Sequence, residues 1–280
     1  MTVIVFVGSV FSPYYAAARR RAQADPLNHV SINAIFYMPN GKRWAMTERG
    51  RASLERSRDR IAIGPSSAHW ADGTLTIDID EWTVPVPRRL RGRISVALGP
   101  VFAQSHSLDE QGRHQWRPIA PLARAVVSFD KPDLSWQGHA YVDMNSGSEP
   151  LEAGFRNWTW SREEAEHSTR ILYDVEQRNG TRRGLALDYL ADGSIRHFEP
   201  APTQVLPRTG WRVARSTRAE ATQPARILRG LEDTPFYSRS MLAFEREGMQ
   251  RRAVNESVDL DRFASRWVQM LLPFKMPRRA

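Results

Sequence analysis

The sequence predicts an all-β protein made of two tandem antiparallel β-barrel or sandwich units with a few short helices. Three observations carry that prediction. Short β-prone runs recur along the chain, separated by turn dipeptides, of which Asp72-Gly73, Asn179-Gly180 and Asp192-Gly193 are hairpin signals. Leu75, Ile77 and Ile79 alternate with Thr76, Asp78 and Asp80, giving one strand a buried face and a wet face. Helical readings are confined to short stretches, which favours barrels or sandwiches over a βαβ architecture.

In chain order, residues 3–7 read as a strand entering the fold. The wider segment 1–18 is apolar, but it lacks a basic leader and Pro13 interrupts it. Crossing a bilayer takes about 20 uninterrupted apolar residues, so a soluble or peripheral protein is expected. Residues 29–37 run to a turn at Pro39-Asn40-Gly41, and 42–47 return. Residues 47–57 read as helix. Strands at 67–70 and 74–82 flank Asp72-Gly73, and 91–98, 124–130 and 134–145 continue the series. Ser146-Gly147-Ser148-Glu149-Pro150 ends the longest of these and opens a Trp-rich stretch, 155–160. A boundary there gives an N-terminal unit, 1–152, and a C-terminal unit, 153–280. In the second unit, 170–177, 181–189 and 194–198 form a three-stranded meander. Residues 210–219 and 237–245 add strands, while 224–231 and a stretch from Asp261 read as helix.

Composition bounds the function. With no cysteine, there is no disulfide framework, no thiolate metal site and no cysteine nucleophile. The net charge of +9 sits at the ends: residues 1–60 hold 10 basic and 4 acidic groups, 61–220 hold 19 and 20, and 221–280 hold 11 and 7. No zinc-finger, RNA-recognition or helix-turn-helix pattern accompanies the charge, so nucleic acid is not an expected partner. Only Lys42, Lys131 and Lys275 are lysine. That arginine excess fits either genome composition or attraction to an anionic surface. Phosphate-loop, metalloprotease and nucleophile-elbow motifs are missing, so neither metal nor cofactor is expected.

Two local patterns can carry chemistry. His114 and Trp116 fall on one face of a strand, as do His139, Tyr141, Asp143 and Asn145. A buried row of this kind must bond within itself or to a ligand. Pattern alone leaves a second reading open, in which Asp143 and Asn145 shape the turn at Ser146-Gly147 and His114 and Trp116 are packing residues. At the C-terminus Phe263, Trp267, Met270, Leu271 and Phe274 share a helical face opposite Arg262, Arg266 and Lys275. That arrangement suits either an interfacial helix or a terminal helix closing a barrel.

Several words of the sequence resemble the carotenoid 1,2-hydratase (hydroxyneurosporene synthase) family. They are Gly8-Ser9-Val10-Phe11-Ser12-Pro13-Tyr14-Tyr15, Asp25-Pro26-Leu27-Asn28-His29, the run from Arg43 to Arg51, Ile63-Gly64-Pro65-Ser66 and the run from Pro87 to Gly92. His114-x-Trp116, Tyr141-x-Asp143-x-Asn145, the run from Pro235 to Ser240 and the closing Pro277-Arg278-Arg279-Ala280 complete the set. The resemblance spans essentially the whole chain. It implies two tandem lipocalin-like units and cofactor-independent addition of water to the terminal C1,2 double bond of acyclic carotenoids such as neurosporene and lycopene. It places function on His114, Trp116, Tyr141 and Asp143, with Asp143 the acid. Trp136, His139 and Asn145 are expected to line the substrate site, and Phe263, Trp267, Leu271 and Phe274 to meet an anionic membrane. The implied location is peripheral, on the cytoplasmic side of a photosynthetic membrane. A non-catalytic isoprenoid carrier and an alkene-protonating cyclase are the alternatives.

Overall fold

The computed structural model describes residues 1–39 and 41–279; Asn40, in the predicted 39–41 turn, and Ala280 lie outside the described residues. The chain is mostly antiparallel β-structure with short helices, as predicted. It forms two compact units, but not with the single break expected near residue 152. One unit comprises Met1–Gly99, Ala123–Ala140 and the residues from Gln269; the other comprises Pro100–Leu122 and Tyr141–Val268. The cause lies in two long strands, His114–Lys131 and Asp133–Gly147, each of which belongs partly to both units. Asp143 therefore lies in the second unit, not in an N-terminal one.

In the first unit, Thr2–Val7, Val30–Met38 and Gly41–Met46 form a three-stranded sheet. The short strands Leu54–Arg56, Arg60–Ile63 and Ser66–Ala71 lead to Thr74–Trp82, Arg89–Ala97 and the two long strands in a larger sheet. Asp72 and Gly73 both have positive φ, 50° and 73°, the geometry a two-residue hairpin requires. Ile77, Ile79 and Glu81 are buried on one face of Thr74–Trp82, so the predicted alternation holds and extends to a carboxylate. The helix expected over 47–57 is replaced by a 3-10 turn, Arg51–Ser53, and the strand Leu54–Arg56. A helix the sequence reading missed, Pro13–Arg21, is capped by the Ser12 hydroxyl, which accepts from the Tyr14 and Tyr15 amides at 3.1 Å each.

The second unit contains a seven-stranded antiparallel sheet. Its order is Ile195–His197, Arg182–Leu190, Ser168–Gln177, Phe155–Glu164, Met249–Asp259, Tyr237–Arg246 and Arg226–Asp233. The meander is present as expected. Residues 224–231, expected as helix, are mostly in the strand Arg226–Asp233, because pairing with Tyr237–Arg246 overrides local preference. The two faces of the central strands differ. Ser161, Ser238, Ser240, Asn255 and Ser257 are buried on one face, where Asn255 Nδ2 donates to the Ser216 carbonyl at 3.1 Å. Trp158, Trp160 and Arg162, on the other face, keep some accessible surface.

The C-terminus is not one helix. Leu260–Ala264 and Arg266–Leu271 are separated by Ser265, whose backbone is extended at φ −67° and ψ 142°. Phe263 therefore leaves the predicted exposed face: it is 1% exposed and packs on Phe236 with ring centroids 5.1 Å apart. Trp267, Met270, Leu271 and Phe274 remain exposed, Phe274 at 73%. Among the described residues no helix is long and apolar enough to cross a membrane.

Candidate functional site

The site is built on the ends of the two long strands that belong to the second unit. Trp116, 0% exposed, and Asp143 are 27 positions apart in sequence, yet the Trp116 indole Nε1 donates to Asp143 Oδ2 at 2.9 Å. Tyr141, two residues before Asp143 on the same face, donates its hydroxyl to the same oxygen at 3.2 Å. Asp143 is thus a strand residue bonded across the hairpin, and the turn reading fails for it. Both donors are neutral.

Asp143 keeps open surface, yet it sits in a dense surround of protein atoms. Crowding dominates its protonation: burial pushes the carboxyl above its ordinary value, and the charge of Glu256 pushes the same way. The Trp116 and Tyr141 hydrogen bonds and Arg239 pull against it. Burial and the neighbouring Asp143 also hold Tyr141 far above the usual phenol range, so its hydroxyl keeps the proton it donates.

Aromatic rings surround this carboxyl. Tyr141 meets Trp160 at 5.4 Å between centroids, and Trp116 meets Tyr173 edge-on at 5.3 Å and His106 at 5.5 Å. His106 Nε2 bonds the Tyr189 hydroxyl at 2.9 Å, and burial lowers its pKa. The sheet supplies its share by register. Tyr173 lies opposite Trp160, Trp160 opposite Glu256, and Glu256 opposite Arg239. Directly opposed residues of antiparallel strands share a face, so the four form one row. Arg239 and Glu256 are ion-paired and mostly buried, and the Arg162 guanidinium stands 5.3 Å over the Tyr141 ring.

The sequence reading therefore named Asp143, Trp116 and Tyr141, which the structure brings together, and did not name the residues around them. Trp160 lay in the Trp-rich stretch 155–160, whose alternation with Asn157, Thr159 and Ser161 was an available strand signal. Nothing local marked His106, Tyr173, Glu256 or Arg239. His114 is not brought to Asp143. Its ring is wedged where side chains on Gly147 or Gly154 would collide with it: a Cβ added at either would meet a ring nitrogen at 2.7 or 2.8 Å. Its Nε2 faces Glu149 at 3.3 Å and its ring packs on Phe155 at 4.7 Å. Trp136 and His139 belong to the first unit, with Trp136 38% exposed and on the opposite strand face from Asp143. Asn145 shares Asp143's face and is exposed. Among the described residues no group of three or more His, Asp or Glu is placed to hold a metal ion.

Known proteins place this arrangement in a family. The carotenoid hydratase CrtC family matches residues 3–280. An acyclic carotenoid 1,2-hydratase of Thiocapsa roseopersicina is 50% identical over 99% of this chain and 69% of its own length. Its namesake in Rubrivivax gelatinosus is 47% identical over 100% and 70%, and that of Cereibacter sphaeroides 38% identical over 99% and 98%. Among solved structures, the crystal structure of an AttH protein from Nitrosomonas europaea aligns over 82% of this chain and 79% of that one. The TM-score is 0.55 at 14% identity, a likeness of lipocalin-like fold alone. With a family match over nearly its whole length and relatives at 38–50% identity, the chain belongs to the carotenoid hydratase CrtC family.

Proposed function

We propose that the chain hydrates the terminal C1,2 double bond of acyclic carotenoids such as neurosporene and lycopene, without a cofactor, and that Asp143 is the acid. The observation that carries this reading is a carboxyl whose donors among the described residues, Trp116 and Tyr141, are neutral and pack on further aromatic side chains. An isolated alkene accepts a proton on carbon before water can add. A free aspartate, with a pKa near 3.9, is almost wholly ionised at neutral pH and cannot give that proton. Asp143 is pushed toward its acid form by burial, as the reaction demands.

Protonation at C2 leaves the charge on C1, where two methyls and the chain make the cation tertiary. Water then bonds C1 and gives the 1-hydroxy product. The cation needs stabilisation by groups that do not trap it, and an aromatic face beside a desolvated cation contributes about 2 kcal/mol. Tyr141 and Trp160 keep accessible surface beside the acid and serve this role, with the buried Trp116 and Tyr173 behind them. His114 acts as a positioning residue: clasped between Gly147 and Gly154, it fixes the strand ends that carry Trp116 and Asp143. The exposed Trp267, Met270, Leu271 and Phe274, with Arg266 and Lys275 beside them in sequence, support contact with an anionic membrane surface, where such substrates reside.

Incubation with neurosporene and with lycopene in heavy water tests the reading. A hydratase returns 1-hydroxy product with deuterium at C2. A carrier returns unlabelled substrate, and a cyclase returns label without hydroxyl. Either of the last two outcomes overturns the proposal.

A further inference from the structure

The reaction needs a second polar element besides the acid: something must hold the water and take its surplus proton. We propose that Trp160 and Glu256 form that water site, with Glu256 as the base; this rests on the hydratase reading above.

The geometry is that of a donor and an acceptor at directly opposed strand positions, on a face that also carries Tyr173 and meets Tyr141. Trp160 and Glu256 are direct cross-strand partners, and side chains so placed stand about 5 Å apart at Cβ. The Trp160 indole Nε1 is buried and finds no acceptor in the protein. A buried N–H left unpaired is costly, and a water accepting from it satisfies it. The same water can donate to the Glu256 carboxylate, which leaves a lone pair free for carbon. Glu256 is mostly buried and held by Arg239. A buried ion pair in an aromatic lining is weak as a source of stability, which makes a chemical role the better account of its presence. Glu256 is also near enough to Asp143, Tyr173 and Arg162 for its charge to act on all three. Trp160 touches Tyr141, which is bonded to Asp143, so the water site and the acid lie on either side of one ring.

The step balances. Asp143 gives its proton to C2 and becomes a carboxylate, and the π pair of the alkene forms the new C–H bond. The water oxygen bonds C1 with its lone pair and passes one proton to Glu256. A proton returns from Glu256 to Asp143 through water, and one water is consumed per turnover.

The test is Glu256→Gln, which keeps the shape and a hydrogen bond to Arg239, assayed with lycopene in heavy water beside the unaltered chain. General-base assistance is worth about 10²–10⁴-fold, so alcohol formation is expected to fall at least ~100-fold. Protonation by Asp143 continues, and the uncaptured cation gives up one of its two C2 hydrogens, in part the original one, to re-form the alkene. Recovered lycopene should therefore carry deuterium at C2, and the ratio of labelled alkene to alcohol should rise by a similar factor. Trp160→Phe, which keeps a ring and loses the N–H, should move the same ratio by about tenfold. If Glu256→Gln fails to fold, Glu256→Gln with Arg239→Gln removes both charges and is read in the same way. Alcohol at the unaltered rate, or alcohol and exchange falling in parallel, overturns the assignment, the second outcome marking Glu256 as structural. No alcohol from the unaltered chain overturns instead the hydratase reading beneath it, and the base with it.

Discussion

In the first unit, Glu48 and Glu81 are buried against cationic partners, whereas in the second Asp143 accepts hydrogen bonds, among the described residues, from an indole and a phenol. Glu48, 0% exposed, is met by His29 Nδ1 at 2.8 Å and by the Arg278 guanidinium. Glu81 takes Arg49 NH2 at 2.8 Å and the Ser66 hydroxyl at 3.2 Å. The family-like words of the first unit converge on these contacts. Asp25 pairs with Arg51, the segment from Pro277 to Arg279 bonds the Glu48 backbone on both sides, and Arg49 packs where a Cβ on Gly64 would collide with it. Those words fasten chain ends and turns. The words of the second unit instead place a carboxyl beside neutral donors, where nothing in direct contact neutralises its charge. Two sets of motifs that look alike on paper thus do different physical work.

The sharpest way to break this comparison is Asp143→Asn. If the second unit holds its carboxyl for chemistry, hydration should fall by at least ~10²-fold, since positioned proton transfer is worth about 10²–10⁴-fold. The melting temperature should hold or rise, because a neutral amide avoids the larger desolvation cost of a buried carboxylate charge. Product formation within tenfold of the unaltered chain would refute the acid assignment.

The matching experiment in the first unit is Arg49→Met. It leaves Glu81 buried with only Ser66 as a side-chain partner, and breaking a buried pair by removing one member costs about 3–5 kcal/mol. Urea denaturation should show that loss, while hydration per folded molecule stays within twofold. Activity lost at full folding would mean that the two units do not divide the labour as described.

How far the sequence foretold these regions follows from the same division. Hairpins closed by Asp72-Gly73, Asn179-Gly180 and Asp192-Gly193 were legible because turn chemistry is local. So was the Tyr141-x-Asp143 face, from strand periodicity alone. The strands Phe155–Glu164 and Met249–Asp259 were not read, because their polarity is inverted: Ser161, Asn255 and Ser257 are the packed residues, while Arg162 and Glu256 share the half-open face with Trp160. A hydrophobic-in, polar-out rule cannot find a strand whose packed face is polar and whose half-open face mixes aromatic and charged residues. The Pro13–Arg21 helix carried a legible signal, a serine cap followed by proline, that was passed over. Pairing partners such as Glu256 and Arg239 were beyond reach, since strand register at this distance is a property of the assembled sheet.

A finer test of the carboxyl's state comes from pH. Asp143 is raised above its ordinary value by burial first, with Glu256 adding to it and Trp116, Tyr141 and Arg239 opposing. The acid form of Asp143 is the one that gives the proton, so on the alkaline side hydration should fall as pH rises through this pKa, about tenfold per unit beyond it. Stability carries the same sign. The folded chain binds this proton more tightly than the unfolded chain, so the contribution is full below the ordinary aspartate pKa and is lost as pH rises through the folded value. The unaltered chain should therefore lose stability relative to Asp143→Asn on raising the pH. A gap that widens in the other direction would mean that Asp143 is held as a carboxylate.

The smallest effects separate the two neutral donors. Trp116→Phe removes the 2.9 Å bond and keeps an aromatic ring; Tyr141→Phe removes the 3.2 Å bond and keeps its ring. Both donors favour the ionised carboxyl, so losing either makes Asp143 a weaker acid and moves its titration upward. A hydrogen bond to a charged group contributes about 1.5–3 kcal/mol, which bounds the loss near 10- to 100-fold in rate. The shorter Trp116 bond should matter more, and the alkaline limb of the pH profile should move to higher pH in both variants. A purely steric role would lower the rate without moving that limb. Loss of rate with an unmoved limb in both would leave Asp143 as the acid and reassign the two rings to holding the cation alone.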